Sequence, residues 1–147
     1  MKATFPVLAV FGASVLAVLG VAAVGAQAAQ AARTTNDGIF TEAQAKRGSE
    51  VYQMACSACH DAQLTGSGTA PALTGADFNA NWKDETVGSL FDRIKATMPA
   101  DNPGSLSRPQ TADLVAFILN FNKYPVGPED LSNEDAALRA IKIAPAK

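Results

Sequence analysis

This 147-residue chain is poor in the side chains that usually hold metals and cofactors: it has one histidine and two cysteines. One histidine excludes a site that needs two imidazoles. Two cysteines cannot supply the two separated ligand pairs of a structural zinc site. Runs of β-branched residues are also missing, and with them the βαβ setting in which a thioredoxin-like cysteine pair normally sits. There are no internal repeats and no basic patch, so nothing points to nucleic acid.

The few scarce residues fall together. Both cysteines and the histidine lie in Cys56-Ser57-Ala58-Cys59-His60. C-x-x-C-H is the attachment site for c-type haem, with the two thiols on the vinyl groups and the histidine on the iron. A disulfide redox pair and a plain structural disulfide are the competing readings. The second would leave His60 without a role.

The first 32 residues differ from the rest. Lys2 is followed by an uncharged apolar run over 6–25 and then by Ala26-Gln27-Ala28-Ala29-Gln30-Ala31-Ala32. The overlapping small-x-small signals predict a secretory signal peptide cleaved between residues 28 and 33. A retained membrane anchor is the alternative, since the run is long for a signal peptide. Covalent haem attachment takes place beyond the bacterial inner membrane, so export to the periplasm and C-x-x-C-H support each other. Removing Lys2 leaves 11 basic against 14 acidic residues, a formal charge of −3. A mildly acidic surface suits partners with basic docking faces.

The mature part is one domain. Residues 33–40 read as a flexible polar lead. Thr41-Glu42-Ala43-Gln44 fits a capping box, and Gly48, Val51, Tyr52, Ala55, Cys56 and Cys59 share one face of the helix it opens. Residues 61–83 read as loop. A second helix is expected over 85–96, with Val87, Leu90, Phe91 and Ile94 on one face, closed by Met98-Pro99. Ser107-Arg108-Pro109-Gln110 opens a third with a second capping box. Within 128–147 a weaker helix is expected from Ser132, capped with Asp135.

Gly48-x-x-x-Tyr52 before the pentapeptide, Pro71-Ala72-Leu73-Thr74-Gly75, Trp82, Met98-Pro99 and the aromatic helix over 112–119 together resemble a class I mono-haem c-type cytochrome over 41–127. The segment over 97–104 is similar to that of bacterial periplasmic cytochromes that accompany quinoprotein (PQQ) dehydrogenases. The resemblance implies an all-α fold of three main helices plus a weaker C-terminal one around a single covalently bound haem c. It implies His60 as proximal ligand, with the Pro71 carbonyl accepting its other N–H. It places Trp82 near the propionate edge, beside the simpler reading of a large hydrophobe closing the domain. It has the first and last main helices cross, with Gly48 admitting Phe117.

The distal ligand is narrowed by scarcity. The methionines are Met1, Met54 and Met98. Met1 leaves with the leader, and Met54 lies about 9 Å back along the helix that bears His60. Met98 is the remaining donor, with a core gap-filler as the alternative role. Histidine and methionine would close both axial positions, which predicts a one-electron carrier without substrate turnover. The expected partners are redox proteins: a quinoprotein dehydrogenase as donor, an oxidase or another cytochrome as acceptor. The rivals are a fixed haem subunit of a dehydrogenase or oxidase complex, and a haem enzyme or gas sensor with a labile distal ligand.

Overall fold

A computed structural model describes residues 33–146. The signal peptide, its cleavage site and the anchor alternative lie outside the described residues. The fold is all-α apart from one two-stranded parallel pair. In chain order it comprises β1 (Arg33–Thr34), α1 (Glu42–Ala55), α2 (Ser57–His60), α3 (Gly75–Trp82), α4 (Val87–Thr97), α5 (Arg108–Phe121), α6 (Asp135–Arg139) and β2 (Ile141–Lys142).

The α1–α5 crossing organises the core. A Cβ on Gly48 would lie 1.8 Å from the Asp113 carbonyl oxygen and 2.8 Å from Phe117 Cβ. Only a hydrogen fits, so the two backbones meet there. One turn further on, the Tyr52 ring lies 5.1 Å from that of Phe117. Tyr52, Phe78, Phe91, Leu114, Ile118 and Leu119 are fully buried around this contact.

Helix starts follow local chemistry where the cap is local. Ser107 and Gln110 exchange both bonds of a capping box. At Thr41 only half of the expected box forms: its Oγ1 accepts from the Gln44 N–H at 3.0 Å. The Gln44 amide turns inward, donating to Leu131 O at 3.0 Å and accepting from Leu131 N–H at 2.6 Å. A buried amide satisfies more of its bonding capacity there than by reaching back to one exposed N–H. The box expected at Ser132 is also absent, because α6 starts after Glu134 without a side-chain cap. The second helix begins two residues later than expected, at Val87, with Thr86 as its cap.

Three segments depart further from expectation. Within the expected loop over 61–83, α3 forms because Asn122, 47 residues away, accepts from Gly75 N–H at 3.0 Å. The expected flexible lead over 33–40 is packed, with Thr35 and Phe40 fully buried and Ile39 nearly so. Its strand β1 pairs in parallel with β2, with Arg33 opposite Ile141 and Thr34 opposite Lys142. The C-terminal segment is likewise integral, with Leu131, Leu138, Ile141 and Ile143 all buried.

Arg47 ties three segments together. Its guanidinium meets Asp113 at 3.0 and 3.1 Å and Asp130 at 2.7 Å. Thr41 Oγ1–H also donates to Asp130 at 2.5 Å. The Thr41 hydroxyl first, and the Arg47 guanidinium second, hold the Asp130 carboxyl below the ordinary carboxylate range. A depressed folded-state pKa contributes stability above the unfolded value of about 3.9, and that contribution disappears as pH falls through the folded value. Asp130→Asn is therefore expected to lower stability at pH 7 by at most about 1 kcal/mol, as for an exposed pair. In denaturant titrations its stability should converge with wild type as pH falls through the folded-state value of Asp130.

Gly48→Ala should be far more damaging. The added methyl group meets backbone rather than a movable side chain, so the helices must part, at a cost of roughly 3 kcal/mol. A chemical-denaturation midpoint unchanged from wild type would show that the crossing is looser than its geometry.

Candidate haem site

The arm that carries the pentapeptide is not one continuous helix. At Cys56 the backbone leaves helical geometry (φ −129°), and Ser57–His60 form a separate turn. Cys59 N–H and His60 N–H both donate to Cys56 O, at 3.1 and 2.9 Å. The turn leaves Cys59 exposed and Cys56 half-buried. His60 is buried.

The chain then folds back beneath His60. Asp61 takes a left-handed conformation (φ +67°), and its carbonyl accepts from Tyr52 O–H at 2.5 Å. Gly66 N–H returns to His60 O at 3.0 Å, and Leu73 N–H to Leu64 O at 2.8 Å. Gly66 is itself left-handed, and a Cβ there would lie 2.4 Å from Ala70 O. This tight loop brings Pro71 O to 2.9 Å from His60 Nδ1. A carbonyl only accepts, so Nδ1 carries a proton, and in the neutral ring the lone pair is then on Nε2. That is the tautomer a metal-ligating imidazole needs, with its orientation fixed by the second nitrogen.

Burial first, and the neighbouring Cys59 second, push the Cys56 thiol up to about 11, away from the thiolate form that disulfide exchange uses.

Met98 sits at the C-terminal end of α4, where the backbone turns extended and Met98 N–H donates to Ile94 O. Its side chain is half-buried against the core. Met54, by contrast, is 78% exposed. Trp82 is the last residue of α3, half-buried against the same core. Ala55, Cys56, Leu73, Trp82 and Met98 all pack on the core while keeping open surface. Two thiols, a neutral imidazole, a thioether and half-covered apolar side chains suit a flat hydrophobic macrocycle.

The family model described as "Cytochrome C oxidase, cbb3-type, subunit III" matches residues 43–118. The chain belongs to this family of c-type cytochromes. Its cofactor is haem c, and its coarse function is haem electron transfer. No curated protein matches this cytochrome. Among solved structures, the sulfane dehydrogenase SoxCD from Paracoccus pantotrophus is similar at 21% identity, with a TM-score of 0.46. That match covers 69% of this chain and 55% of the other.

Some positioning residues escape a reading of the sequence. Asn122 donates to Leu73 O and Ile118 O, each at 2.9 Å, and so holds the end of the Pro71 loop to α5. Its only sequence signal is its place just past a helix end. Lys95 Nζ donates to Gly104 O at 2.8 Å, bridging the turn that follows Met98. Nothing in its spacing marks that contact.

Covalent attachment gives a direct expectation. Acid-acetone treatment should leave haem on the polypeptide, and both Cys56 and Cys59 should resist alkylation. Extracted haem together with two titratable thiols would contradict it.

Proposed function

We propose that this cytochrome is an exported one-electron carrier of the periplasm, with His60 and Met98 as axial ligands and no substrate turnover of its own. The observation that carries the reading is the contrast between the methionines. Met98 is held half-buried at the end of a core helix, while Met54 projects into solvent from the arm that bears His60. Bound haem c supplies a one-electron Fe(III)/Fe(II) couple. Cys56 and Cys59 tether it, which keeps the cofactor in a small domain whose own core is limited. His60 presents Nε2 while Pro71 holds Nδ1. Met98 donates a thioether, which favours the reduced state and raises the potential. Ligation of haem c by both His60 and Met98 would leave no open position on the iron for substrate or dioxygen.

Export rests on the N-terminal sequence. Among the described residues, no helix is long and apolar enough to cross a membrane. The proposed partners are redox proteins: a quinoprotein dehydrogenase as donor, in keeping with the segment over 97–104, and an oxidase or another cytochrome as acceptor. The chain carries no lysine or arginine from Gly48 to Trp82, while Glu50, Asp61 and Asp77 are exposed. A surface of that charge around the attachment site favours partners with basic faces. The family description, that of an oxidase subunit, favours a second reading, a fixed haem subunit of a larger complex. Transient electron-transfer contacts are small and salt-sensitive, so co-purification with a larger complex at high salt would decide for the subunit.

Met98→Ala tests the ligand assignment. The variant should keep covalent haem, lose the thioether-to-iron charge-transfer band, fall in potential and bind carbon monoxide in the ferrous state. Met54→Ala should do none of these. Wild-type protein that binds carbon monoxide as readily as Met98→Ala would favour a haem enzyme or gas sensor instead.

A further inference from the structure

The segment beyond α5 closes on α4, the helix that ends at Met98. Before α4 begins, Ile143 brackets the incoming chain. Its N–H donates to Glu85 O at 2.8 Å and its carbonyl accepts from Asp84 N–H at 3.0 Å. At the second residue of α4, α6 lies against bare backbone: a Cβ on Gly88 would be 2.8 Å from Arg139 Cγ and 3.2 Å from Arg139 N. One turn on, Arg139 Nη2 pairs with Asp92 at 2.7 Å. Gly88 and Asp92 are four residues apart and so share a stripe of the helix. Lys95 continues that stripe, and its contact with Gly104 O pins the turn after Met98. Arg108 completes the grip. Its guanidinium lies 4.8 Å over the Phe91 ring, donates to Asn133 O and pairs with Asp135 at 2.5 Å.

An isolated helix of this length is marginal in water, so packing sets its placement. It is also a lever. An 11-residue helix is about 16 Å long, so a tilt of about 4° at its start moves its far end by about 1 Å. We propose that residues 133–146 form a positioning clasp that fixes α4 and thereby holds Met98 in place as a ligand, with Gly88 and Arg139 as its positioning residues. This rests on the Met98 ligation proposed above. It gives the C-terminal segment a role at the cofactor, although none of its side chains serves as a ligand.

The test uses full-length holoprotein. Gly88→Val wedges α6 away from α4, and Arg139→Ala is the milder variant should the first fail to fold. Gln44→Leu is the control: it removes the clamp on Leu131, outside the clasp and far along the chain from α4. The readouts are the thioether-to-iron band, carbon monoxide affinity of the ferrous protein and the denaturation midpoint. Apparent affinity scales with the fraction of molecules in the binding-competent state, so a tenfold rise in the Met98-dissociated fraction should tighten carbon monoxide binding about tenfold. Gly88→Val should show that rise with a weakened band, and Arg139→Ala a smaller change in the same direction. Gln44→Leu should lower the denaturation midpoint and leave band and affinity at wild-type values. Folded Gly88→Val or Arg139→Ala with wild-type band and affinity would overturn the clasp, as would Gln44→Leu shifting them equally. Wild type without the band, binding carbon monoxide like Met98→Ala, would instead overturn the ligation reading and the clasp with it.

Discussion

The missing side chain at Gly48 is the constraint on which the rest of the fold depends. With no Cβ there, α1 approaches α5 until its backbone meets the Asp113 carbonyl. That contact fixes where α1 points and therefore where its broken end presents Cys56, Cys59 and His60. It also packs Tyr52 against Phe117 with the rings tilted 45°, and the Tyr52 hydroxyl donates to the Asp61 carbonyl. Tyr52 thus serves both the crossing and the turn after His60. Burial pushes its hydroxyl up to about 12, so it stays a neutral donor across the physiological range.

A domain of this size buries a limited fraction of its surface and is correspondingly marginal. Two features offset that. The first is covalent tethering of the cofactor, which holds it to the chain without relying on a closed cavity. The second is the pairing of the two ends of the described residues. β1 and β2 lie side by side, and Thr35 Oγ1 accepts from Ala144 N–H at 3.1 Å. These contacts fasten the segment before α1 to the one after α6.

What could be read from the sequence was whatever depends on neighbours in the chain. The pentapeptide, the Ser107–Gln110 capping box and the apolar face of α4 are each defined within one or two helical turns. The all-α fold was implied by the family resemblance that the pentapeptide and its companion motifs carry. What escaped depends on distant partners. α3 is capped by Asn122 from 47 residues away. Residues 33–40 read as polar and loose because their partners are distant in the chain: Thr35 bonds with Ala144, and the Phe40 carbonyl accepts from Gly127 N–H. At Thr41 the local pattern misled: Gln44 obeys the capping spacing, yet its amide is buried, and the partner that satisfies both its ends is Leu131.

The polar contacts around the site share a logic. His60 to Pro71, Tyr52 to Asp61, Lys95 to Gly104, Asn122 to Leu73 and Arg108 to Asn133 are all side chains donating to main-chain carbonyls. Loops have no ladder partners of their own, so their carbonyls must be satisfied from elsewhere. Side chains on the helices provide that satisfaction, and each such bond sets a loop at a fixed distance from a helix. The acceptor's side chain is not specified by such a bond, but its backbone position is. Proline at 71 fits this logic closely: it offers the carbonyl that His60 needs, and its lack of an N–H leaves no second main-chain donor to satisfy beside the imidazole.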